Sequence, residues 1–550
     1  MEMSSEQQSF SSQMKTESVE RRTANYKPNI WNYCFLQSLT NTYDEEKYRT
    51  QAETLKREVS FILDEEKDPV AKLELIDCIS KLALSHYFEK DIYETLNTMV
   101  NVNNSGSTME DNLYRTALYF RILRQYGYAI SQDVFLCFTD DVGQFMTSKH
   151  LDAKPILQLL EASYLGMESE CLLDTAKVFA TENLSANHEF FSLPCPLHLS
   201  VGWFNVKKHI HVLEKENNKT NKSMLLQLGR LNFNMVQAQQ QKDLKDILRW
   251  WKDLDLSENL IFTRDRIVES FLWAVGVASE PQHESLRKWL TKVIMFILII
   301  DDVYDIYGSR EELEYFTRAV NRWNPTEIQQ LPEAIRRCFC ALHDTTNDMD
   351  LQIQQVKGWD SVLPYLKKAW ADFCNALHVE AKWYHTGYTP RLWEYLDNGW
   401  ISSSGPLLSI VVLFGVGQDL TETIQFLEKN QEIIYYSSLI IRLCNDQGTS
   451  TAELERGDAP SSILCYMREA NVTEEEAREH IRNIITNIWK KINGLCMNGS
   501  SNLLQTLVKY IINIARVANF IYQNGDGFSV QDGETRDQVL SCLIKPFPPM

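Results

Sequence analysis

The stretch VIMFILIIDDVYDIYG runs from Val293 to Gly308. Eight apolar residues end in Asp301 and Asp302, and a third acid follows at Asp305. A carboxylate at the rim of a core is costly unless positive charge meets it. On a helix, residues four apart share a face, so Asp301 and Asp305 are expected to point the same way with Asp302 beside them. Hard divalent cations take oxygen ligands, and Mg²⁺ is commonly held by one or two carboxylates together with phosphate and water. A solvated acidic helix end is the plainer reading of the same residues.

A second oxygen-rich set lies in RLCNDQGTSTAELERGD, where Asn445, Thr449 and Glu453 fall at i, i+4 and i+8. An amide, a hydroxyl and a carboxylate would form one stripe of a helix, with Arg442 three residues before it. Alone this is an ordinary polar helix face. Opposite the aspartates it becomes the second jaw of a metal clamp, with an arginine able to hold phosphate bidentately. Arg264 and Arg266, in ENLIFTRDRIVESFLWAVGV, read as a loop entering a helix and as a phosphate clamp or a surface ion-pair group. Trp273 lies two turns beyond Arg266. Its ring could stabilise a cation or simply pack in the core.

The elements that must position these residues are helical. Apolar residues recur at spacings of three and four, as in VAKLELIDCISKLALSHYF from Val70 and KSMLLQLGRLNFNMVQAQ from Lys222. Strand patterns are nearly absent, with 21 glycines in 550 residues, and no repeat period indicates a solenoid. The polar stretch KENNKTNKS, Lys215 to Ser223, separates about 200 residues from about 330. In WISSSGPLL a helix break is expected around Ser402 to Pro406, aiming bare carbonyls into a cavity. NGDGF, Asn524 to Phe528, reads as a mobile loop.

The net charge of −19 argues against nucleic acid as partner and leaves room for a small phosphorylated ligand. The longest apolar runs fall short of the roughly 20 residues that span a bilayer. Twelve cysteines without a CxxC pair fit buried thiols in a reducing compartment. The first 20 residues are Ser-rich but acidic and without Arg, unlike a transit peptide. They read as a disordered tail on a cytoplasmic protein. There is no P-loop, GxSxG, HExxH or complete GxGxxG. The rings of His209 and His211 fall on opposite sides of a helix. The N-terminal half lacks DxDD, which leaves protonation-initiated chemistry unsupported.

Taken together, DDVYD, NDQGTSTAE about 140 residues later and RDR about 35 residues upstream resemble plant class I terpene synthases. The likeness covers nearly the whole chain. RRTANYKPNIW, Arg21 to Trp31, is similar to that family's RRx8W element. LNFNMVQAQ and RWWKDLDL look like its linker, ISSSGP like its broken helix, and NGDGF like its capping loop. RRTANYKPNIW, VAKLELID, LIIDDVYDIYGS and SSILCYMRE most resemble the Tps-b-type members that form acyclic products, the (E,E)-α-farnesene-forming ones above all.

The resemblance implies an all-α fold with a tail at 1–20, a relict N-terminal α-barrel at 21–222 and a class I isoprenoid-synthase bundle at 223–550. It implies three Mg²⁺ ions, with Mn²⁺ as a possible substitute, bound by Asp301, Asp305, Asn445, Thr449 and Glu453. Asp302 would support that set. Arg264, Arg266 and Arg442 would neutralise a prenyl diphosphate as it leaves. Ile294 and Leu298 share a face with the aspartates and would wall the pocket. Trp273 and Tyr522 would contact the cation, and Asp526 and Phe528 would help close a lid. Arg21 and Arg22 would tie the N-terminal strand across the mouth. The implied reaction converts farnesyl diphosphate to (E,E)-α-farnesene in a monomer without a membrane span. Conversion of geranyl diphosphate to (E)-β-ocimene or a similar acyclic monoterpene is the alternative. A non-catalytic isoprenoid-binding helical protein is the alternative of another class.

Overall fold

The computed structural model describes residues 21–22, 24–103, 112–146, 152–185, 195–215, 220–256, 260, 262–457, 459–497, 502–528, 530–531 and 533–548. The tail expected at 1–20 and the centre of the expected linker, 216–219, lie outside them. Among the described residues the chain is helical without strands, and the one β contact is an isolated bridge between Thr139 and Phe145.

Local signals set where helices start. Before the helix Pro69–Lys81, the Asp68 carboxylate accepts from the backbone N–H groups of Val70 and Ala71, and Pro69 sits where no intrahelical donor is needed. The face carrying Leu73, Ile76 and Ile79 is fully buried. The 35-residue helix Thr220–Leu254 (α1) connects the two halves and packs along the N-terminal helix Glu46–Glu65. Trp203 stacks on Phe233 of α1 at 4.8 Å, and one continuous core runs from Leu36 to Leu543.

The C-terminal bundle is built around Ile267–Val277 (α2), in which every residue is buried. A helix apolar on all sides belongs in the middle of a bundle. Glu284–Asp302 (α3) packs on it, followed by Arg310–Arg322 (α4), Leu363–Thr386 (α5), Leu392–Ser402 (α6), Gly405–Val416 (α7), Gln431–Arg456 (α8) and Asn502–Tyr522 (α9). α8 lies against α9, α6 and α7.

Two features depart from the simple helical pattern. After Asp302 the α-helix widens into a π turn over Val303–Tyr307, closed by Gly308 N donating to Val303 O at 2.8 Å. A Cβ on Gly308 would lie 2.5 Å from Leu313 and 2.9 Å from Val303 O, so the turn closes only on glycine. Asp301 lies in the last turn of α3 and Asp305 inside the π turn that follows it. The second departure is the α6–α7 break, where Ser404 adopts φ +65° and Pro406 starts the next helix. Leu392–Val416 as a whole reaches spanning length, with mean hydropathy 1.6. The stretch includes Glu394 and Asp397, so its uninterrupted apolar runs remain short. It is two helices, 67% buried inside the bundle.

Candidate active site

The end of α3 presents one acid to the surface and keeps the other inside. The Asp301 side chain is 37% exposed and that of Asp302 only 1%. Arg264 separates their fates. Its Nη2 lies 2.8 Å from Asp301 Oδ2 and 2.9 Å from Asp302 Oδ1, and its backbone N–H donates to Asp302 Oδ2 at 3.0 Å. Burial pushes the Asp302 carboxyl up to about 6, against the pull of Arg264. Burial opposes the charge on Arg264, yet Asp302, Tyr26 and Asp301 hold its pKa well above the ordinary value.

α8 carries the facing set. The Thr449 hydroxyl donates to the Asn445 carbonyl at 2.9 Å, which leaves its oxygen lone pairs free to accept or ligate. The Asn445 side chain lies beside the Tyr522 hydroxyl at the end of α9 and offsets part of the rise that burial gives its pKa. Glu453 acts electrostatically on Arg442, three turns earlier on α8.

Arg442 is held from beneath by the broken helix. Its Nη2 donates to Ser402 Oγ at 2.8 Å and its Nε to Gly399 O at 3.4 Å. Glu380 of α5 and Asp446 each lie 3.7 Å away. Glu380 also accepts from Ser402 Oγ, and Asp446 accepts from the Tyr395 hydroxyl and the Ser462 N–H. Burial raises the pKa of Glu380, opposed by Arg442. The break does not leave the carbonyls of Gly399 and Ile401 bare: they accept from Ser403 N and Ser404 N.

The first described stretch of the chain crosses this mouth. Arg22 Nη1 donates to Asp305 O at 2.9 Å and its Nη2 to Arg456 O at 3.3 Å, joining the π turn to the end of α8. Arg21 donates to Tyr307 O at 2.7 Å and forks onto Glu312, which also closes the capping box of α4 with Ser309. Tyr26 donates to Asp302 Oδ1 at 3.0 Å. Trp31 Nε1 donates to Glu269 at 2.6 Å, and Gln531 bridges the same carboxylate to Asn29.

Arg266 does not join the cluster as a phosphate clamp. Its Nε donates to Phe528 O at 2.6 Å and its Nη2 to Lys27 O at 2.9 Å. It ties the strand to the loop after α9. That loop, read from sequence as mobile, is anchored here, with Phe528 4% exposed and Asp526 accepting from Phe528 N at 3.0 Å. Asp526 contributes to the field on Arg264 and on Tyr522. Gly448 of α8 lets the loop approach, because a Cβ there would lie 2.9 Å from Gly525 O and 3.1 Å from Tyr522 O. Trp273 is 4% exposed and its Nε1 has no protein partner among the described residues.

The donors of both jaws are oxygens, the kind a hard divalent cation takes. Among the described residues no three His, Cys, Asp or Glu side chains converge by themselves. The set therefore fits a metal whose shell is completed by amide, hydroxyl and phosphate oxygens rather than a closed protein cage. Sequence reasoning missed Tyr26, Glu269, Glu380, Tyr395 and Asp446. Tyr26 and Asp446 lay inside stretches already singled out, RRTANYKPNIW and NDQGTSTAE.

The family model "Terpene synthase family, metal binding domain" matches residues 252–491, and "Terpene synthase, N-terminal domain" matches 30–200. The alpha-farnesene synthase of Ricinus communis is 51% identical over 96% of both chains. The (E,E)-alpha-farnesene synthase of Malus domestica is 48% identical over 99% of this chain and 98% of its own. The structure of isoprene synthase from grey poplar, in complex with three Mg²⁺ ions and dimethylallyl-S-thiolodiphosphate, superposes with a TM-score of 0.85 at 39% identity, over 95% of this chain and 100% of its own. The chain thus belongs to the terpene synthase family, as a divalent-metal-dependent lyase that ionises prenyl diphosphates.

Proposed function

We propose that the chain converts farnesyl diphosphate to an acyclic sesquiterpene, (E,E)-α-farnesene. The observation that carries this reading is the identity of 51% and 48% to two enzymes of that name across nearly the full length. In this reading Asp301, Asp305, Asn445, Thr449 and Glu453 hold the metal, three Mg²⁺ ions as in the grey poplar complex, with Mn²⁺ as a substitute. The bound metal supplies positive charge against the leaving diphosphate.

Arg264 and Arg442 contact the diphosphate from opposite jaws. Each is already fixed by buried carboxylates, so little ordering is needed when the ligand arrives. Asp302 orients Arg264. The C–O bond breaks and its electron pair leaves with the diphosphate. The allylic cation then loses a proton to the released diphosphate, forming the new double bond. Ile294, Leu298 and Trp273 wall the pocket and keep water from the cation. Tyr522 lines it, and Asp526 with Phe528 closes it. The same reading divides the chain into a tail at 1–20, an N-terminal domain at 21–222 and a catalytic domain at 223–550. It makes the protein a cytoplasmic monomer.

The test is product analysis by gas chromatography and mass spectrometry. Purified protein is given farnesyl or geranyl diphosphate, with Mg²⁺ or with EDTA. Metal-dependent α-farnesene from the C15 substrate is expected. Preference for the C10 substrate, with an ocimene-type product, would overturn substrate and compartment while keeping the chemistry.

A further inference from the structure

A cleft of about 950 Å³ opens between the N-terminal helices and the C-terminal bundle, and none of the site residues above lines it. From the bundle it is faced by Gln505, Lys509, Asn513 and Arg516. Their spacing of four, four and three puts them on one stripe of α9, a helix that otherwise buries Ile511, Ile514, Ala515, Val517 and Ala518.

The two cations of this stripe differ. Lys509 is paired with Glu280 at 2.8 Å. Among the described residues Arg516 meets no carboxylate. Its Nε donates to His198 O at 2.8 Å and its Nη1 to Asn513 Oδ1 at 3.0 Å. A guanidinium has five N–H donors, so Nη2 and one hydrogen of Nη1 are left without a protein acceptor among the described residues. Five other enclosed arginines are neutralised by carboxylates, while Arg266 donates to the carbonyls of Phe528, Asp265 and Lys27. Arg121 has Asp77, Arg124 has Glu170, Arg264 has Asp301 and Asp302, Arg287 has Asp243, and Arg442 has Glu380 and Asp446. Burial pushes the pKa of Arg516 down to about 10, with only the Cys496 thiol opposing. A half-buried cation with free donors on the wall of an open cleft is half of an ion pair.

We propose that this interdomain cleft is a second, non-catalytic anion site, in which Arg516 binds a phosphate-class oxyanion. The planar fork of a guanidinium matches two oxygens of such an ion, and Asn513, fixed by donating to Val277 O at 3.0 Å, steadies that fork from one turn back along α9. The Lys509 end is excluded as the centre because the Glu280 carboxylate already occupies it. Two sources share this chemistry: free inorganic phosphate, and the diphosphate that the lyase reaction releases.

The full-length protein is titrated by calorimetry with inorganic phosphate and, separately, inorganic diphosphate, in EDTA so that no metal gathers either ion at the catalytic mouth. Arg516→Gln removes the fork. Asn513→Glu keeps Arg516 but gives it a carboxylate, which serves if the first variant does not fold. Arg264→Gln is the catalytic-mouth control. Saturable binding is expected in the wild type and in Arg264→Gln, weakened at least about tenfold by Arg516→Gln and by Asn513→Glu. The tighter of the two ions identifies the source. No saturable binding of either ion by the wild type, unchanged binding in either cleft variant, or loss of binding only in Arg264→Gln would each overturn the proposal.

Discussion

The Tyr26 hydroxyl donates to Asp302 Oδ1 at 3.0 Å across 276 positions of sequence. The same ring lies under the Arg264 guanidinium, 4.9 Å from its centroid. One aromatic residue from the start of the chain thus braces both the buried acid of the DDVYD turn and the cation that pairs with it.

Tyr26→Phe keeps the ring and deletes the hydrogen bond. A bond to a charged group contributes about 1.5–3 kcal/mol. We expect kcat/KM to fall about tenfold or more, since 1.4 kcal/mol is tenfold, while circular dichroism stays that of the wild type. Unchanged kinetics would show that the strap does not position Arg264.

Asp301→Ala acts differently, because this side chain is 37% exposed. The fold should survive. Turnover should fall by at least about 10²-fold, the scale of losing a preorganised charge contact in a transition state. Product formation near the wild-type level would sink the assignment of Asp301 as a metal ligand.

Glu380 neutralises Arg442 in the interior. Glu380→Ala leaves a buried cation short of a partner and should cost about 3–5 kcal/mol of stability. Glu380→Gln retains the acceptor for Ser402 and should cost less. Urea denaturation with activity measured in parallel separates the two. Equal midpoints for both variants would argue that the charge pair carries no weight.

Gly448→Ala should improve the helix by local propensity, about 1 kcal/mol for Gly to Ala. The added Cβ would instead press on Gly525 O and Tyr522 O, backbone atoms with little freedom to yield. The expected outcome is lost turnover and no gain in melting temperature. A more stable variant with full activity would show that the loop after α9 need not approach this closely.

His198 predicts a pH response at the domain interface. Burial and then Arg516 push its pKa down to about 3, with only the Asn493 hydrogen bond opposing. The Trp489 ring packs edge-on at 5.8 Å. Between about pH 6.5 and 3 the unfolded chain binds this proton and the folded chain does not. Stability is therefore full above 6.5 and falls with acidification through that window, by up to about 1.4 kcal/mol per pH unit. His198→Gln should remove about one proton from the slope of stability against pH. An identical slope would mean that His198 titrates normally.

The periodicity of three and four was enough to read an all-helical chain, because the burial of a helix face is written in consecutive residues. The two oxygen-rich sets were equally legible: DDVYD closes a helix whose preceding eight residues are apolar, and Asn445, Thr449 and Glu453 are spaced at i, i+4 and i+8. The break at Ser404 was announced by its serines and Pro406. These are local facts, settled by backbone sterics and by which side chains seek water.

Tertiary structure alone decided how the charges were shared. Asp301 and Asp302 are neighbours of one type, yet one faces out and the other is sealed by Arg264 and Tyr26. Arg264 and Arg266 are two apart, yet one meets carboxylates and the other the carbonyls of Lys27 and Phe528. No local pattern distinguishes them, since each partner comes from a segment 37 or more residues away in sequence or from the far end of the chain. The place of Arg516 on the cleft wall, without a carboxylate among the described residues, arises the same way. A helix pattern specifies which face is buried, but not which charge waits on the surface it is buried against.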